Sequence, residues 1–179
     1  MSGGNWKAIL AAAVAAFAAL AGSADAPSAP TRPAVSLDAL SRGVLLDVNA
    51  MRKSHGLAPL RLSVSLNAAA AQHSNEMARV GYFAHESADG SPFDKRLARF
   101  YPMGSRHYWS VGENLVWAAP DLSADEALKL WMDSPPHREN LLTSRWREIG
   151  IAAVHADSAP GSYGGGPATI ITTDFGVRR

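Results

Sequence analysis

The spacing of the apolar residues changes once along the chain, near the C-terminus, and this change most constrains the fold. Upstream, apolar residues recur at spacings of three and four over residues 37–54 and 66–80, as they do along one face of an α-helix. Downstream, "WREIGIAAVHA" and "ATIITTDFGV" are rich in β-branched residues and are joined by the turn-forming stretch "DSAPGSYGGGP". Helices followed by an antiparallel hairpin, without βαβ alternation, predict an α+β domain with helices packed on an antiparallel sheet.

Shorter helices are predicted between these two parts. "SPFDKRLARFYP" places Ser91 as an N-cap and Pro92 in the first turn. Another helix begins at Ser123, with Glu126 at the spacing of a capping box, and the double proline after "WMDS" ends it. A further helical turn is predicted around "HRENLLTS". "RHYWSVGENLVWA" mixes aromatic and β-branched residues around a glycine and predicts irregular or short extended structure.

The N-terminal segment has the pattern of a secretory signal peptide. Lys7 precedes an apolar run over residues 9–20, and small residues end the segment at Ala24 and Ala26. We therefore expect residues 1–26 to be a signal peptide, residues 27–35 a proline-rich tether, and residues 36–179 one domain. The alternative for residues 1–26 is an uncleaved anchor. The chain is expected to be exported, to the periplasm or the medium, with no transmembrane span after cleavage.

The composition limits how the domain is held together and what it binds. The chain has no cysteine, so an exported domain of this size depends on its core rather than on disulfides. Its formal net charge is +1, which gives no support for a nucleic-acid partner. We expect a monomer.

Three polar residues beside predicted structural breaks are candidates for a shared site. His85 follows a helix end, Glu113 lies next to a glycine, and His137 follows the double proline. Two imidazoles and a carboxylate are a three-ligand set for Zn²⁺ or another divalent metal, or they hold a general base without metal. The alternative is structural: the glutamate binds backbone N–H groups and the histidine caps a helix.

Several ordered patches resemble the CAP superfamily, the cysteine-rich secretory, antigen 5 and pathogenesis-related proteins with an SCP domain. They are "HGLAPL", "GYFAHESADG", "GEN", and "WMDSPPHRENLL" with "IGIA", spread over roughly residues 37–176. The resemblance is to the bacterial, cysteine-free form. It implies a three-layer α-β-α sandwich with a small antiparallel sheet and a shallow cleft lined by histidines and glutamates.

The resemblance also implies which residues line that cleft. His85 matches the first site histidine, Glu113 and Asn114 belong to the "GEN" motif, and His137 matches the second histidine. In many eukaryotic members a second glutamate completes a tetrad, and here Ser134 stands at the matching position. Asp133 or Glu139 is an alternative source of the missing acid.

We expect the protein to bind a ligand rather than to catalyse a reaction, with a small ligand, a lipid, a peptide or a cell-wall component as partner. The first alternative is a metal-dependent hydrolase of peptide or cell-wall substrates in which His85 and His137 hold the metal. The second is an envelope-associated structural module. No nucleophile elbow surrounds Ser134, and its nearness to His137 in sequence does not establish a serine–histidine pair. His73, on an apolar helix face, is interpreted as a packing residue.

Overall fold

The computed structural model describes residues 37–179. The predicted signal peptide and tether lie outside the described residues. The elements in chain order are α1 (Leu37–Ser54), β1 (Arg61–Leu62), α2 (Val64–Val80), α3 (Phe93–Phe100), β2 (Trp109–Ala118), α4 (Ala124–Asp133), α5 (Pro135–Leu142), β3 (Glu148–Ala156), a short 3₁₀ turn (Gly161–Tyr163) and β4 (Ala168–Arg178).

The four strands form one sheet in the order β1-β3-β4-β2. The C-terminal strands β3 and β4 pair antiparallel, which confirms the predicted hairpin, and β2 pairs antiparallel with β4 on its other side. The sequence did not predict β1, a two-residue strand that pairs parallel with β3 through Arg61 and Leu62. Because β2 is the last strand in this order, it forms one edge of the sheet.

Helices cover both faces of the sheet, so the predicted three-layer α-β-α sandwich is confirmed. On one face, α1, α4 and α5 share a core with the sheet that includes Trp131, Trp146 and Phe175. On the other face, α2 packs on β3 and β4. The backbone of α2 approaches so closely that a Cβ on Gly150 would lie 2.1 Å from the carbonyl carbon of Leu66. Only glycine permits this contact.

The prediction of irregular or short extended structure around "GEN" is wrong. The segment is a regular ten-residue strand, β2, paired with β4 along its whole length. A glycine and two polar residues in its centre interrupt the apolar pattern that identifies a strand. Helical side chains cover its outer edge: Trp131 Nε1 donates to the carbonyl of Leu115 over 2.9 Å, and Asn140 Nδ2 donates to that of Glu113 over 3.2 Å. Such donors satisfy backbone groups that an edge strand leaves unpaired.

The predicted helix start is confirmed for α4 and corrected for α3. Ser123 and Glu126 form the capping box of α4. Helix α3 has Pro92 rather than Ser91 at its N-cap. The reason is that Ser91 belongs to the preceding turn, where its N–H donates to Asp89 Oδ1 over 2.8 Å.

The double proline begins a helix as well as ending one. Ser134 ends α4, and α5 starts at Pro135. Proline is tolerated at the start of a helix because an N–H group there has no partner within the helix. His137 therefore lies in the first turn of α5, so the helical turn predicted around "HRENLLTS" is confirmed and begins earlier, at Pro135. Within residues 37–179, none of the helices has the length and apolarity needed to cross a membrane.

Candidate functional site

The loop that follows α2 carries His85, and a buried histidine fixes it. Helix α2 ends at Gly81, whose φ of 87° is left-handed. His73, fully buried on α2, donates from Nε2 to the carbonyl of Ala84 over 2.9 Å. Burial lowers the pKa of His73, and it is neutral with its proton on Nε2 because a carbonyl only accepts. His73 is thus more than a packing residue, since it positions the residue next to His85.

Arg96 on α3 is a site residue that the sequence analysis missed. Its side chain is 1% exposed, and one terminal nitrogen donates to the carbonyl of His85 over 3.0 Å and to Ser87 Oγ over 3.2 Å. The other terminal nitrogen forms an ion pair with Glu113 Oε2. In a helix with several other charged residues, no pattern distinguishes this arginine from an exposed one.

Glu113 projects from the middle of β2 and is completely buried, whereas its partner His85 is 38% exposed. His85 Nδ1 lies 2.8 Å from Glu113 Oε1. Burial raises the pKa of Glu113, but the hydrogen bond from His85 and the charge of Arg96 outweigh it, so the pKa lies below its ordinary value. Because the ionised carboxylate only accepts, Nδ1 of His85 carries the proton. The sequence analysis had placed Glu113 beside a break; the structure places it mid-strand.

His137 and Ser134 come together at the start of α5. Ser134 Oγ lies 2.8 Å from His137 Nδ1, so the hydrogen bond that sequence nearness did not establish is present. Burial lowers the pKa of His137, and the charge of the nearby His85 lowers it further. Among the described residues, no hydrogen bond engages Nε2 of either histidine.

Two asparagines hold α5 against β2. Asn114 Nδ2 donates to the carbonyl of His137 over 3.0 Å, and Asn140 Nδ2 donates to Asn114 Oδ1 over 3.0 Å and to the carbonyl of Glu113. Asn114 is 1% exposed. Asn114 thus contacts the backbone of His137, and Asn140, which the sequence analysis did not select, links Asn114 to α5.

Gly112 is required by this arrangement. A Cβ at this position would lie 2.7 Å from Asn140 Oδ1 and 2.9 Å from Trp146 Cζ2. The glycine of "GEN" therefore allows α5 and its following turn to approach β2.

The side chain of His85 is hydrogen-bonded to Glu113. The backbone carbonyl of His137 accepts a hydrogen bond from Asn114, the next residue of the same strand. Two open grooves lie elsewhere. One, of about 650 Å³, is lined by residues including Asp133, Pro135 and Arg138, and the other, of about 430 Å³, lies between α1 and α4. Neither groove is lined by His85 or Glu113.

A family model described as the Cysteine-rich secretory protein family, CAP, matches residues 45–172, more than half of the chain. This protein belongs to the CAP family. It is similar to the uncharacterized protein YkwD of Bacillus subtilis (strain 168), with 33% identity over 69% of this chain and 46% of YkwD. The uncharacterized membrane protein YlbC of the same organism is 30% identical over 64% of this chain and 32% of YlbC. The chain thus spans less than half the length of either relative.

Solved CAP structures share the fold. An extracellular protein containing an SCP domain from Bacillus anthracis has a TM-score of 0.57 at 25% identity, covering 85% of this chain and 45% of that one. An outer surface protein from Borrelia burgdorferi has a TM-score of 0.61 at 17% identity, covering 77% and 92%. A cysteine-rich secretory protein from Staphylococcus aureus has a TM-score of 0.59 at 21% identity, covering 82% and 40%. The last two likenesses show the fold alone.

Glu113 of this CAP protein does not fit the three-ligand metal site considered from the sequence. Its oxygens are engaged by His85 and Arg96, and the guanidinium of Arg96 repels a cation. Over residues 37–179, no group of three or more histidine, cysteine, aspartate or glutamate side chains is arranged to hold a metal ion. A metal bound by Nε2 of His85 and His137 alone stays a prediction.

Proposed function

We propose that this protein is an exported binding module of the cell envelope, with His85, Ser134 and His137 as its binding residues and Glu113 and Asn114 as their support. The proposed ligand is a peptide or a cell-wall fragment that forms hydrogen bonds through an amide or hydroxyl group. Export rests on the signal-like pattern of residues 1–26, and it agrees with the extracellular and outer-surface locations named for the structural relatives.

The observation that carries the proposal is the contrast between the buried Glu113 and the partly exposed His85, at 0% and 38% exposure of their side chains. Burying a carboxylate is costly unless it is paired, and here the paired charge serves to orient one imidazole that solvent reaches. With Nδ1 of His85 committed to Glu113, Nε2 is the ring nitrogen left for a ligand. Amide and hydroxyl groups can form a hydrogen bond with that nitrogen, whereas a purely apolar lipid tail cannot.

His137 supports recognition by hydrogen bonds rather than by charge. Burial and the charge of His85 both lower its pKa, so the ring is neutral at neutral pH. Its Nδ1 is held by Ser134 Oγ, which leaves Nε2 for a ligand. Two oriented imidazoles, each with Nε2 left for a ligand, favour a polar group that forms hydrogen bonds.

The start of α5 favours binding over hydrolysis by Ser134. Stabilising an acyl-transfer oxyanion needs preorganised donors, commonly a pair of backbone N–H groups. Pro135 and Pro136 follow Ser134 directly and have no N–H. The serine–histidine hydrogen bond therefore lacks the donors next to it that would make it a nucleophilic site.

Thermal unfolding with defined probes tests the proposal. Soluble peptidoglycan fragments should raise the melting temperature of the wild type, because a ligand that prefers the folded state stabilises it. The rise should disappear in His85→Ala and His137→Ala. The matched control is His55→Ala, since His55 is exposed at the end of α1 and its Nδ1 contacts only residues of the same helix end.

Each alternative has its own outcome. A rise with phosphatidylglycerol vesicles instead of peptidoglycan fragments would replace the proposed ligand by a lipid. Stoichiometric Zn²⁺ that is lost in His85→Ala and His137→Ala would favour the metal-dependent hydrolase. If no probe raises the melting temperature while Glu113→Ala lowers it, the protein is a structural module and the binding proposal fails.

A further inference from the structure

A second acidic residue lies buried against Glu113. Asp174 is on β4 and pairs in register with Glu113 on β2, so the two side chains lie opposite each other on one face of the sheet. Asp174 is 0% exposed. Within residues 37–179, no N–H or hydroxyl group donates a hydrogen bond to either of its carboxyl oxygens.

Among residues 37–179, no cation is paired with Asp174. Arg96 is the positive group that acts on it, and the guanidinium already forms an ion pair with Glu113. His73, which faces Glu113 from α2, is neutral, and His85 donates to Glu113. Two ionised carboxylates that lie opposite each other without solvent repel each other, which proteins relieve by protonating one acid.

Burial raises the pKa of both carboxyl groups, but their net shifts are opposite. Burial raises the pKa of Asp174 well above its ordinary value, the charge of Glu113 raises it further, and Arg96 lowers it by less. For Glu113, the donors outweigh burial and the pKa falls. A carboxylate has about four acceptor positions on its two oxygens, so Glu113 can accept a third donor besides His85 and Arg96.

We propose that Asp174 is a neutral carboxylic acid that donates its proton in a hydrogen bond to the Glu113 carboxylate. Asp174 is thus a positioning residue: it completes the three donors that keep Glu113 ionised and directed at Nδ1 of His85. The proton stays on Asp174, and no bond is broken. This role accounts for a buried aspartate whose oxygens accept no hydrogen bond from an N–H or hydroxyl group. Only the protonated form of the side chain can donate to Glu113.

Infrared spectroscopy reads this protonation state without a ligand. At pH 7, exposed carboxyl groups are ionised because their pKa values lie near about 4. The folded wild type should nevertheless show the C=O stretching band of a protonated carboxylic acid, and the band should vanish on unfolding in denaturant. It should be absent from Asp174→Asn and retained in the control Asp157→Asn, where the replaced side chain is fully exposed. A folded wild type without the band overturns the proposal, whatever the variants do.

The NMR signals of the His85 ring test the positioning role. An asparagine at position 174 still offers N–H donors to Glu113, so Asp174→Asn should keep the Nδ1-protonated form of His85. Asp174→Leu removes the donor, and the Nδ1 signal of His85 should shift or broaden. If Asp174→Leu leaves that signal unchanged, or if Asp174→Asn alters it as much as leucine does, the positioning role is wrong.

This inference deepens the proposed function because it concerns the support of the same site, yet the two fail separately. A failed ligand screen leaves the infrared and NMR results standing. A missing carboxylic acid band leaves ligand binding by His85 and His137 untouched.

Discussion

Arg96 and Glu113 form an ion pair from which water is excluded, their side chains being 1% and 0% exposed. The same guanidinium donates to the carbonyl of His85 and to Ser87 Oγ. One cation thus compensates the buried carboxylate and fixes the loop that presents the partly exposed histidine. Stability and site geometry are coupled at this residue.

Arg96→Met should lower the free energy of unfolding by about 3–5 kcal/mol, because removing one partner of a buried pair leaves the other charge uncompensated. Methionine retains an unbranched apolar stem of similar length, so little of the loss comes from packing. Urea unfolding followed by circular dichroism measures the change.

The matched control for this variant is Arg99→Met, an exposed arginine of the same helix, for which we expect a change within about 0.5 kcal/mol. Combining Arg96→Met with Glu113→Gln should cost less than the sum of the single changes, since the uncompensated charge is then absent. A loss below about 1 kcal/mol for Arg96→Met alone would contradict an energetically important pair.

Glu113 should make the native state more stable above its ordinary pKa of 4.5, because its native pKa is lower. A depressed carboxyl pKa contributes stability above the unfolded-state pKa, and that contribution is lost as the pH falls through the native value. Glu113→Gln removes this titration. The stability difference between wild type and Glu113→Gln should therefore shrink as the pH falls below 4.5.

Denaturant unfolding at several pH values measures that difference, with Glu139→Gln as the exposed control on α5. A difference for Glu113→Gln that stays constant across the acid range would show that the carboxylate is not preferentially ionised in the folded protein.

The elements with strong periodicity were predictable from the sequence, and the site was predictable only in part. The C-terminal hairpin and the α4 capping box follow from local patterns that the structure keeps. Strand β2 was missed because "GEN" places a glycine and two polar residues in the centre of the strand. Those residues are buried by contacts with α3 and α5, which local sequence does not reveal.

Arg96 and Asp174 show why the supporting residues escaped prediction. Arg96 lies in "FDKRLARF", where burial of one charge out of several depends on a carboxylate 17 positions away. Asp174 follows two threonines in a strand, and its importance depends on its cross-strand register with Glu113. His85 and His137 were candidates because they lie beside predicted structural breaks and match a family pattern, whereas no short pattern marks Arg96 or Asp174.

Gly112→Ala should destabilise the fold by about 1–3 kcal/mol, the range for adding volume to a packed region. The new methyl group would lie 2.7 Å from Asn140 Oδ1 and 2.9 Å from Trp146 Cζ2, so α5 must shift. Gly166→Ala is the control, because a Cβ there has no heavy atom within 4 Å. Unfolding in urea gives the stability, and displaced His137 NMR signals in Gly112→Ala alone would report the movement of α5. Equal stabilities of the two variants would be inconsistent with the close approach.

Ser134→Glu supplies an acid where the family resemblance places the second glutamate of the tetrad. Ser134 Oγ lies 2.8 Å from His137 Nδ1, so a carboxylate at this position reaches the ring. Burial and the charge of His85 now lower the pKa of His137, and an adjacent negative charge favours the imidazolium form. We expect the pKa of His137 to rise by about one pH unit, measured by NMR titration of its ring protons. Ser134→Ala should not raise it, and Ser158→Glu, which adds the same charge on the exposed β3–β4 loop, should change it little. If Ser158→Glu shifts the pKa of His137 as much as Ser134→Glu does, the effect comes from net charge and position 134 has no direct contact with the ring.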